Sequence, residues 1–185
     1  MISTSFSTVR GRRILITGEV GSGKSTLTRR LLNEALEEGI EDITLIDMAP
    51  DRVLTDNGPT GGRLLEESVK GVRQLNPSGI KAPRLSAKNP KELLSMAESN
   101  RASVEKVLEE FIDEPTKVLF INDASIYLQR GELEALQATI FEAETAVLNA
   151  YFGERLENDL GTGISYRERT LVLSLAKIVD RVIRL

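Results

Sequence analysis

The stretch GEVGSGKST at residues 18–26 has the residue types and the spacing of a phosphate-binding loop. It fits the pattern G-x-x-x-x-G-K-[ST], in which glycines let successive backbone N–H groups turn toward one anion. Lys24 supplies a positive charge for the β and γ phosphates of a nucleotide, and the Ser25 hydroxyl suits Mg²⁺. The predicted phosphate contacts are Gly18, Gly21, Ser22, Gly23, Lys24, Ser25 and Thr26.

The sequence on either side of this loop predicts the elements that must position it. The short apolar run RRILITG (12–18) indicates a buried strand that stops at Gly18. After the loop, apolar residues recur at helical spacing between Lys24 and Glu38, and Gly39 suits the end of that helix. The helix would add its positive N-terminal end to the loop, so the context fits phosphate binding.

Further apolar runs alternate with helical patterns along the chain. Strands are predicted at 42–48, 116–123, 145–153 and 181–185, and helices at 91–112, 131–143 and 166–180. This alternation is typical of a parallel sheet that is covered by helices on both faces. We therefore expect an α/β fold, a three-layer sandwich with a mainly parallel five-stranded sheet, built as a single domain over residues 1–185.

The interval between the second and third predicted strands, residues 49–115, is unusually long. Its first half is rich in Gly, Pro, Asn and Asp, and its second half holds the helical pattern at 91–112. A connection of this length is commonly a functional cover or a substrate-binding element. Within it, DNGPTGG (56–62) is either the hinge of a lid or an ordinary loop. We expect a partly helical, lid-like insertion.

Composition limits the chemistry and the partners. The chain contains no cysteine and no histidine, which removes thiolate and imidazole nucleophiles, bases and metal ligands. Its net charge of −4 argues against a general nucleic-acid or membrane-surface binder. No apolar run reaches the length of about 18 residues that a membrane span needs. The N-terminal MISTSFSTVRGRR lacks the apolar core of a secretory signal, so a cytoplasmic location is expected.

The motif in its strand–loop–helix context resembles that of the P-loop NTPases. The strand–helix layout of the whole chain is similar to theirs, although only GEVGSGKST is specific. The resemblance implies that a nucleoside triphosphate and Mg²⁺ bind at the carboxyl ends of the strands. GTPases of this superfamily read guanine with an N-K-x-D stretch after a late strand. This chain has GERLEND there, so ATP is the expected nucleotide.

The resemblance also assigns a role to Asp123, which ends the predicted strand VLFIND. P-loop proteins carry an acidic residue at such a place, where it holds Mg²⁺ directly or through water, here together with Ser25. The alternative is that Asp123 caps the following turn. The next residue, Ala124, stands where many RecA-like and AAA+ ATPases place a water-activating Glu. This difference predicts slow hydrolysis.

Asp47 ends the second predicted strand in LIDMAP. In P-loop kinases a polar or acidic residue at this place meets the acceptor hydroxyl, and in some relatives it approaches Mg²⁺. The resemblance therefore makes Asp47 a catalytic candidate beside Lys24 and Asp123, whereas the alternative is a turn residue before Pro50. Glu19, inside the loop, either faces the γ-phosphate or is solvated.

Three arginines of the 49–115 interval suit an acidic or phosphorylated acceptor, or a phosphoryl group in transfer. They are Arg63, Arg84 and Arg101, and each is alternatively an ordinary surface residue.

Near the C-terminus, ENDLGTGISYRER (157–169) is faintly similar to adenosylcobinamide kinase, which implies that GTGIS lines the nucleotide or acceptor site. The guanylyl transfer of that enzyme depends on histidine, so this activity does not carry over.

Two functions follow from these patterns. The first is an ATP-binding protein with slow, Mg²⁺-dependent hydrolysis that works as a switch or in a complex, with a protein partner or as a homo-oligomer. The second is a small-molecule kinase, in which residues 49–115 hold the acceptor and Asp47 positions its hydroxyl. A P-loop fold used only for protein interaction would lack nucleotide affinity, and the intact pair of Lys24 and Ser25 argues against it.

Overall fold

A computed structural model describes residues 4–50, 53–55, 58–60, 62–65 and 67–185. In chain order, the elements are α1 (Phe6–Val9), β1 (Arg13–Gly18), α2 (Lys24–Glu37), β2 (Ile43–Asp47), β3 (Val53–Thr55), β4 (Gly58–Thr60), β5 (Val72–Leu75), α3 (Pro83–Ser86), α4 (Pro90–Asp113), β6 (Val118–Asn122), α5 (Ala124–Leu128), α6 (Leu133–Glu142), β7 (Thr145–Tyr151), α7 (Ile164–Ile178) and β8 (Arg181–Arg184). The predicted strands and helices are confirmed. Within the described ranges, no helix has both the length and the apolarity to cross a membrane.

The main sheet has six parallel strands in the order β5-β2-β6-β7-β1-β8. The expected α/β fold class is confirmed, but the expected number of five strands is one too low. The additional strand is β5, which extends the sheet edge with Val72 opposite Ile43. Its sequence VRQL lacks an apolar run because an edge strand buries little, and here only Leu75 is buried.

Helices cover both faces of this sheet, because successive side chains of each strand point to opposite faces. In β1, Ile14 and Ile16 pack in a cluster with Leu31 of α2, and Leu15 packs in the other cluster with Leu175 of α7. The first face is covered by α1 and α2, and the second by α4, α5, α6 and α7. Burial on both sides explains why these strands read as continuous apolar runs.

Much of the 49–115 interval is built into this sandwich. It contributes β5 to the sheet, and α4 buries Val104, Leu108 and Phe111 in the core. Its first part holds a separate antiparallel hairpin, β3 with β4. The segment 56–62 therefore contains a strand, while its positions 56, 57 and 61 lie outside the described residues. The hairpin is closed at its base, where Gly62 N donates to Pro50 O at 2.9 Å.

Four strands end together at one edge of the sheet. Gly18 of β1 lies opposite Tyr151 of β7, and Asp47 of β2 lies opposite Asn122 of β6. In open parallel sheets, ligands bind outside this carboxyl edge.

Candidate functional site

The loop between β1 and α2 opens into a cavity of about 270 Å³ at the carboxyl edge of the sheet. Gly21 and Gly23 have φ angles of 76° and 95°, a left-handed conformation that glycine adopts without strain. Gly23 is also the N-cap of α2, so the unpaired N–H groups of the first helical turn begin at the cavity. Of the predicted phosphate contacts, those on its wall are Gly21, Gly23, Lys24, Ser25 and Thr26.

Gly18 and Ser22, the remaining predicted contacts, lie behind the wall. A Cβ atom on Gly18 would stand 2.6 Å from both Ser22 Oγ and Leu185 O, so the loop and the end of β8 leave room for glycine alone. Ser22 Oγ is buried and has no hydrogen-bond partner among the described residues. This oxygen therefore lies against Gly18 at the back of the loop and does not face the cavity.

Lys24 lies inside the loop, where its Nζ donates to Gly18 O at 2.9 Å and to Glu19 O at 2.6 Å. Burial lowers the pKa of the ammonium, although the charges of Asp123 and Glu19 oppose this shift. A phosphate in the cavity would act in the same direction as these carboxylates and stabilise the charged lysine. The loop residues therefore fit a polyphosphate.

Ser25 and Asp123, the two predicted Mg²⁺ ligands, line the same cavity. Ser25 Oγ donates to Asn122 Oδ1 at 3.3 Å, next to Asp123. Among the residues described here, no group of three or more His, Cys, Asp and Glu is placed to hold a metal. Protein sites for Mg²⁺ commonly supply one or two carboxylates, and phosphates and water supply the other ligands. A hydroxyl and a single carboxylate fit that kind of site.

Asp123 itself is held in an unusual conformation. Its φ of 57° and ψ of 50° are left-handed, a strain that short polar residues tolerate best. Its N–H donates to Asn149 Oδ1 at 2.9 Å, and its Oδ1 accepts from Ser125 Oγ at 2.7 Å. Burial raises the pKa of the carboxyl, while Ser125 and the charges of Lys24 and Arg84 oppose this rise. Within the protein alone, the neighbouring groups thus offset only part of the cost of burying the negative charge of Asp123.

Asp47 lies behind the cavity wall, and its carboxylate is occupied by hydrogen bonds to other protein groups. Its carboxylate accepts from Asn122 Nδ2 at 2.8 Å, from Ala49 N at 3.2 Å and from the N–H of Leu64 at 2.5 Å. Burial raises its pKa, and these three hydrogen bonds oppose the rise. Asp47 thus fixes Asn122 and attaches the chain after the hairpin to β2.

Asn149 and Tyr151 are among the cavity residues that the sequence analysis missed. Asn149 Nδ2 donates to Thr28 Oγ1 and to Asn122 Oδ1, both at 2.9 Å, so it links α2 to β6. The sequence clue to Asn149 was a polar amide in the middle of the buried strand TAVLNAY, because a buried amide needs hydrogen-bond partners. Tyr151 closes one side of the cavity, and its hydroxyl accepts from Leu156 N at 2.9 Å.

Glu19 anchors the phosphate loop to the chain after β7. Its Oε2 accepts from Glu154 N at 2.8 Å and from Arg155 N at 3.2 Å, and its Oε1 accepts from Val20 N at 2.8 Å. Although burial acts to raise the pKa of Glu19, these backbone N–H donors bring it below its ordinary value. The side chain is therefore occupied by the protein and is not simply solvated.

The three candidate arginines have different surroundings. Arg63 is exposed, and Arg101 pairs with Glu98 and Glu105 on its own helix. Arg84 alone of the three lies beside the cavity at the phosphate loop, where its Cζ stands 5.3 Å from the ring centre of Tyr151. The structure thus brings one of them to the site.

The GTGIS segment forms the start of α7 and does not line this first cavity. Asp159 caps this start, because its carboxylate accepts from Gly161 N and Ser165 N, both at 3.0 Å. Ser165 instead lines a second cavity of about 330 Å³, which shares Tyr151 and Leu156 with the first.

No model of a known protein family matches the chain, and no curated protein sequence matches it. Among solved structures, the chain is similar to the flagellar accessory protein FlaH from Methanocaldococcus jannaschii, with 16% identity and a TM-score of 0.42 over 95% of this chain and 71% of FlaH. It is also similar to the Pif1 helicase from Candida albicans, with 14% identity and a TM-score of 0.42 over 100% of this chain and 39% of the helicase. At this level of similarity, function has to be inferred from the geometry of the site itself.

Proposed function

We propose that this chain is an ATP-binding P-loop NTPase that hydrolyses ATP slowly, with Mg²⁺, as a switch or as part of a complex. The observation that carries the proposal is one cavity whose wall joins Lys24, the start of α2 and Asp123. Loop N–H groups and Lys24 would bind the phosphates, and Ser25 and Asp123 would hold the metal ion. Bound Mg²⁺ would neutralise charge on the phosphates.

Slow hydrolysis agrees with the residue that follows Asp123. Ala124 is buried and carries no acid that could activate water. Positioning and charge neutralisation supply most of the acceleration in phosphoryl transfer, so the cavity can support turnover without a strong base.

The test measures ATP affinity and ADP formation with purified protein and MgATP. Lys24→Ala should weaken ATP binding strongly and abolish ADP formation. Lys106→Ala is the matched control, since Lys106 is an exposed lysine on α4 outside the described cavities. Equal ATP affinity in the wild type and the Lys24 variant would overturn the proposal.

The second cavity favours a small-molecule kinase as a second candidate. It adjoins the nucleotide cavity through Tyr151 and Leu156, and Arg84 and Arg169 lie on its wall. Its volume of about 330 Å³ lies in the range of small-molecule sites. A kinase would consume ATP faster when its acceptor is added and would move the γ-phosphate label into an organic product. Label recovered as inorganic phosphate alone, with every acceptor class supplied, would contradict this candidate.

A further inference from the structure

The β3–β4 hairpin is separate from the main sheet, but it begins and ends at the cavity of the phosphate loop. It forms a two-stranded sheet of its own. Ala49, which precedes the hairpin, and Gly62, which follows it, both line that cavity. Pro50 lines a smaller neighbouring cavity of about 50 Å³ together with Asp123. A ligand at the phosphate loop would therefore lie beside both ends of the hairpin.

Asp47 holds both ends of the hairpin in place. The N–H of Ala49 donates to one of its carboxylate oxygens at 3.2 Å, and the N–H of Leu64 donates to the other at 2.5 Å. Leu64 is also attached to α2, because its carbonyl oxygen accepts from Arg29 Nε at 2.8 Å. A shift of the Asp47 carboxylate would thus move the chain before and after the hairpin together.

Asn122 connects this carboxylate to the phosphate loop. Its Nδ2 donates to Asp47 Oδ1 at 2.8 Å, and its Oδ1 accepts from Ser25 Oγ at 3.3 Å. Ser25 lies on the wall of the cavity, while Asp47 and Asn122 are only 4% and 1% exposed. The side chains of Ser25, Asn122 and Asp47 therefore form a continuous hydrogen-bonded path from the cavity to the hairpin, which we call the relay.

The two hydrogen bonds of the relay differ in length. The Ser25 bond is long, since a hydroxyl donor and its acceptor oxygen commonly lie about 2.5–3.0 Å apart, so this end can tighten. The bond between Asn122 and Asp47 is short and buried, and because a buried polar group that loses its partner is costly, the two side chains move together. A hydroxyl that binds a metal ion is a stronger donor. MgATP at Ser25 should therefore tighten the hold on the hairpin.

We propose that the β3–β4 hairpin is the part of the molecule that responds to nucleotide, and that the relay carries the response from Ser25 to the hairpin. The inference rests on the proposed nucleotide binding, and it identifies the element that moves in the proposed switch. Coupling between two sites is reciprocal. A partner that fixes the hairpin would therefore raise the affinity of the protein for MgATP.

The test is backbone amide exchange, followed by NMR, at Ala49, Gly62 and Leu64 with and without saturating MgATP. Amides that exchange through local opening report how firmly a segment is held. We expect MgATP to slow exchange at these three amides about tenfold relative to the amides of α6, a common size for coupling between sites. The helix α6 lines none of the described cavities, so its amides report only the general stabilisation by a bound ligand.

Asn122→Leu breaks the relay, because leucine has nearly the shape of asparagine and no polar group. In this variant, saturating MgATP should change exchange at the three amides less than about twofold relative to α6. Direct contact between the ligand and the hairpin would instead leave the tenfold response intact, and that result would overturn the relay. Asn100→Leu is the matched control, because Asn100 is buried and bonds to the backbone of Lys81, outside the relay. It should keep the full response.

A second variant covers the case that the first does not fold. Asp47→Asn leaves either the N–H of Leu64 or the Nδ2 of Asn122 without its acceptor, so it also interrupts the relay and should remove the response. Thermal unfolding shows which variants are folded. If a folded relay variant keeps the response, or if the wild type binds MgATP without slower exchange at the three amides, the relay is wrong and the proposed ATP binding survives. A wild type without affinity for ATP overturns the proposed function itself.

Discussion

Arg84 and Glu168 form a buried two-point ion pair that joins α3 to α7. Arg84 Nη1 lies 2.9 Å from Glu168 Oε1, and Nη2 donates to Oε2 at 3.0 Å. The two side chains are only 7% and 3% exposed. Gln129 and Ser165 complete the surroundings of the pair, which lies on the wall of the second cavity.

Glu168→Met should lower the free energy of unfolding by about 3–5 kcal/mol, because it leaves the guanidinium of Arg84 buried without a carboxyl partner. Arg84→Met combined with Glu168→Met removes both charges and should be less destabilising than either single change. Urea unfolding of the four proteins measures this coupling. Strictly additive losses would show that the two residues do not act as a pair.

Stability should fall as pH rises from about 4.5 to about 7. Burial raises the pKa of Glu168 from 4.5 to about 7, since lost hydration outweighs the opposing effect of Arg84. A raised acid pKa means that the folded state binds more protons than the unfolded state, so the free energy of unfolding decreases with pH in this window. Asp47 and Asp123, whose pKa values are also raised by burial, act in the same direction.

Urea unfolding at several pH values checks whether the free energy of unfolding decreases as the pH rises. Glu19 and Glu98 have lowered pKa values and act in the opposite direction, but only up to just above their ordinary pKa of 4.5, so the upper part of the window reports Glu168. Glu168→Gln should flatten the slope between these pH values, whereas an unchanged slope would mean that Glu168 is ionised throughout.

The sequence predicted the parts of the site that are local in the chain. GEVGSGKST lies in one loop, where its spacing predicted it, and the resemblance to P-loop proteins pointed to Asp123 at the end of an apolar run. The Arg84–Glu168 pair joins residues 84 positions apart, and Asn149 gains its role from strands that are neighbours only in the sheet. Such contacts depend on tertiary packing, which periodicity does not describe. The edge strand β5 was missed for a related reason, because its half-exposed residues carry little apolar signal.

Asp47→Asn distinguishes a positioning role of Asp47 from a catalytic one. The amide places an N–H₂ group where the carboxylate accepts from Leu64 N or from Asn122 Nδ2, so one buried donor loses its partner. The expected loss of stability is about 1–3 kcal/mol, with ADP formation per folded molecule reduced less than tenfold. A loss of activity far beyond this, in a protein of normal stability, would identify Asp47 as a catalytic residue.

Gly18→Ala should disable the phosphate loop. Its new Cβ would stand 2.6 Å from the backbone oxygen of Leu185, so the loop or the end of β8 must shift. We expect ATP affinity to fall more than about tenfold together with a loss of about 1–3 kcal/mol in stability. Gly131→Ala is the control, because its Cβ would collide with the ring of Tyr127, a core residue that lines none of the described cavities. That variant should lose stability while each folded molecule keeps its ATP affinity.

Asp123→Asn should stabilise the protein and inactivate it. Burial disfavours the charged carboxyl, so a neutral amide that still accepts from Ser125 Oγ removes this penalty. Asparagine also tolerates the left-handed backbone of this position. We expect the unfolding free energy without nucleotide to rise by about 1 kcal/mol, and Mg²⁺-dependent ADP formation to be lost. A variant that is less stable and still active would show that the carboxylate supports the fold and not the reaction.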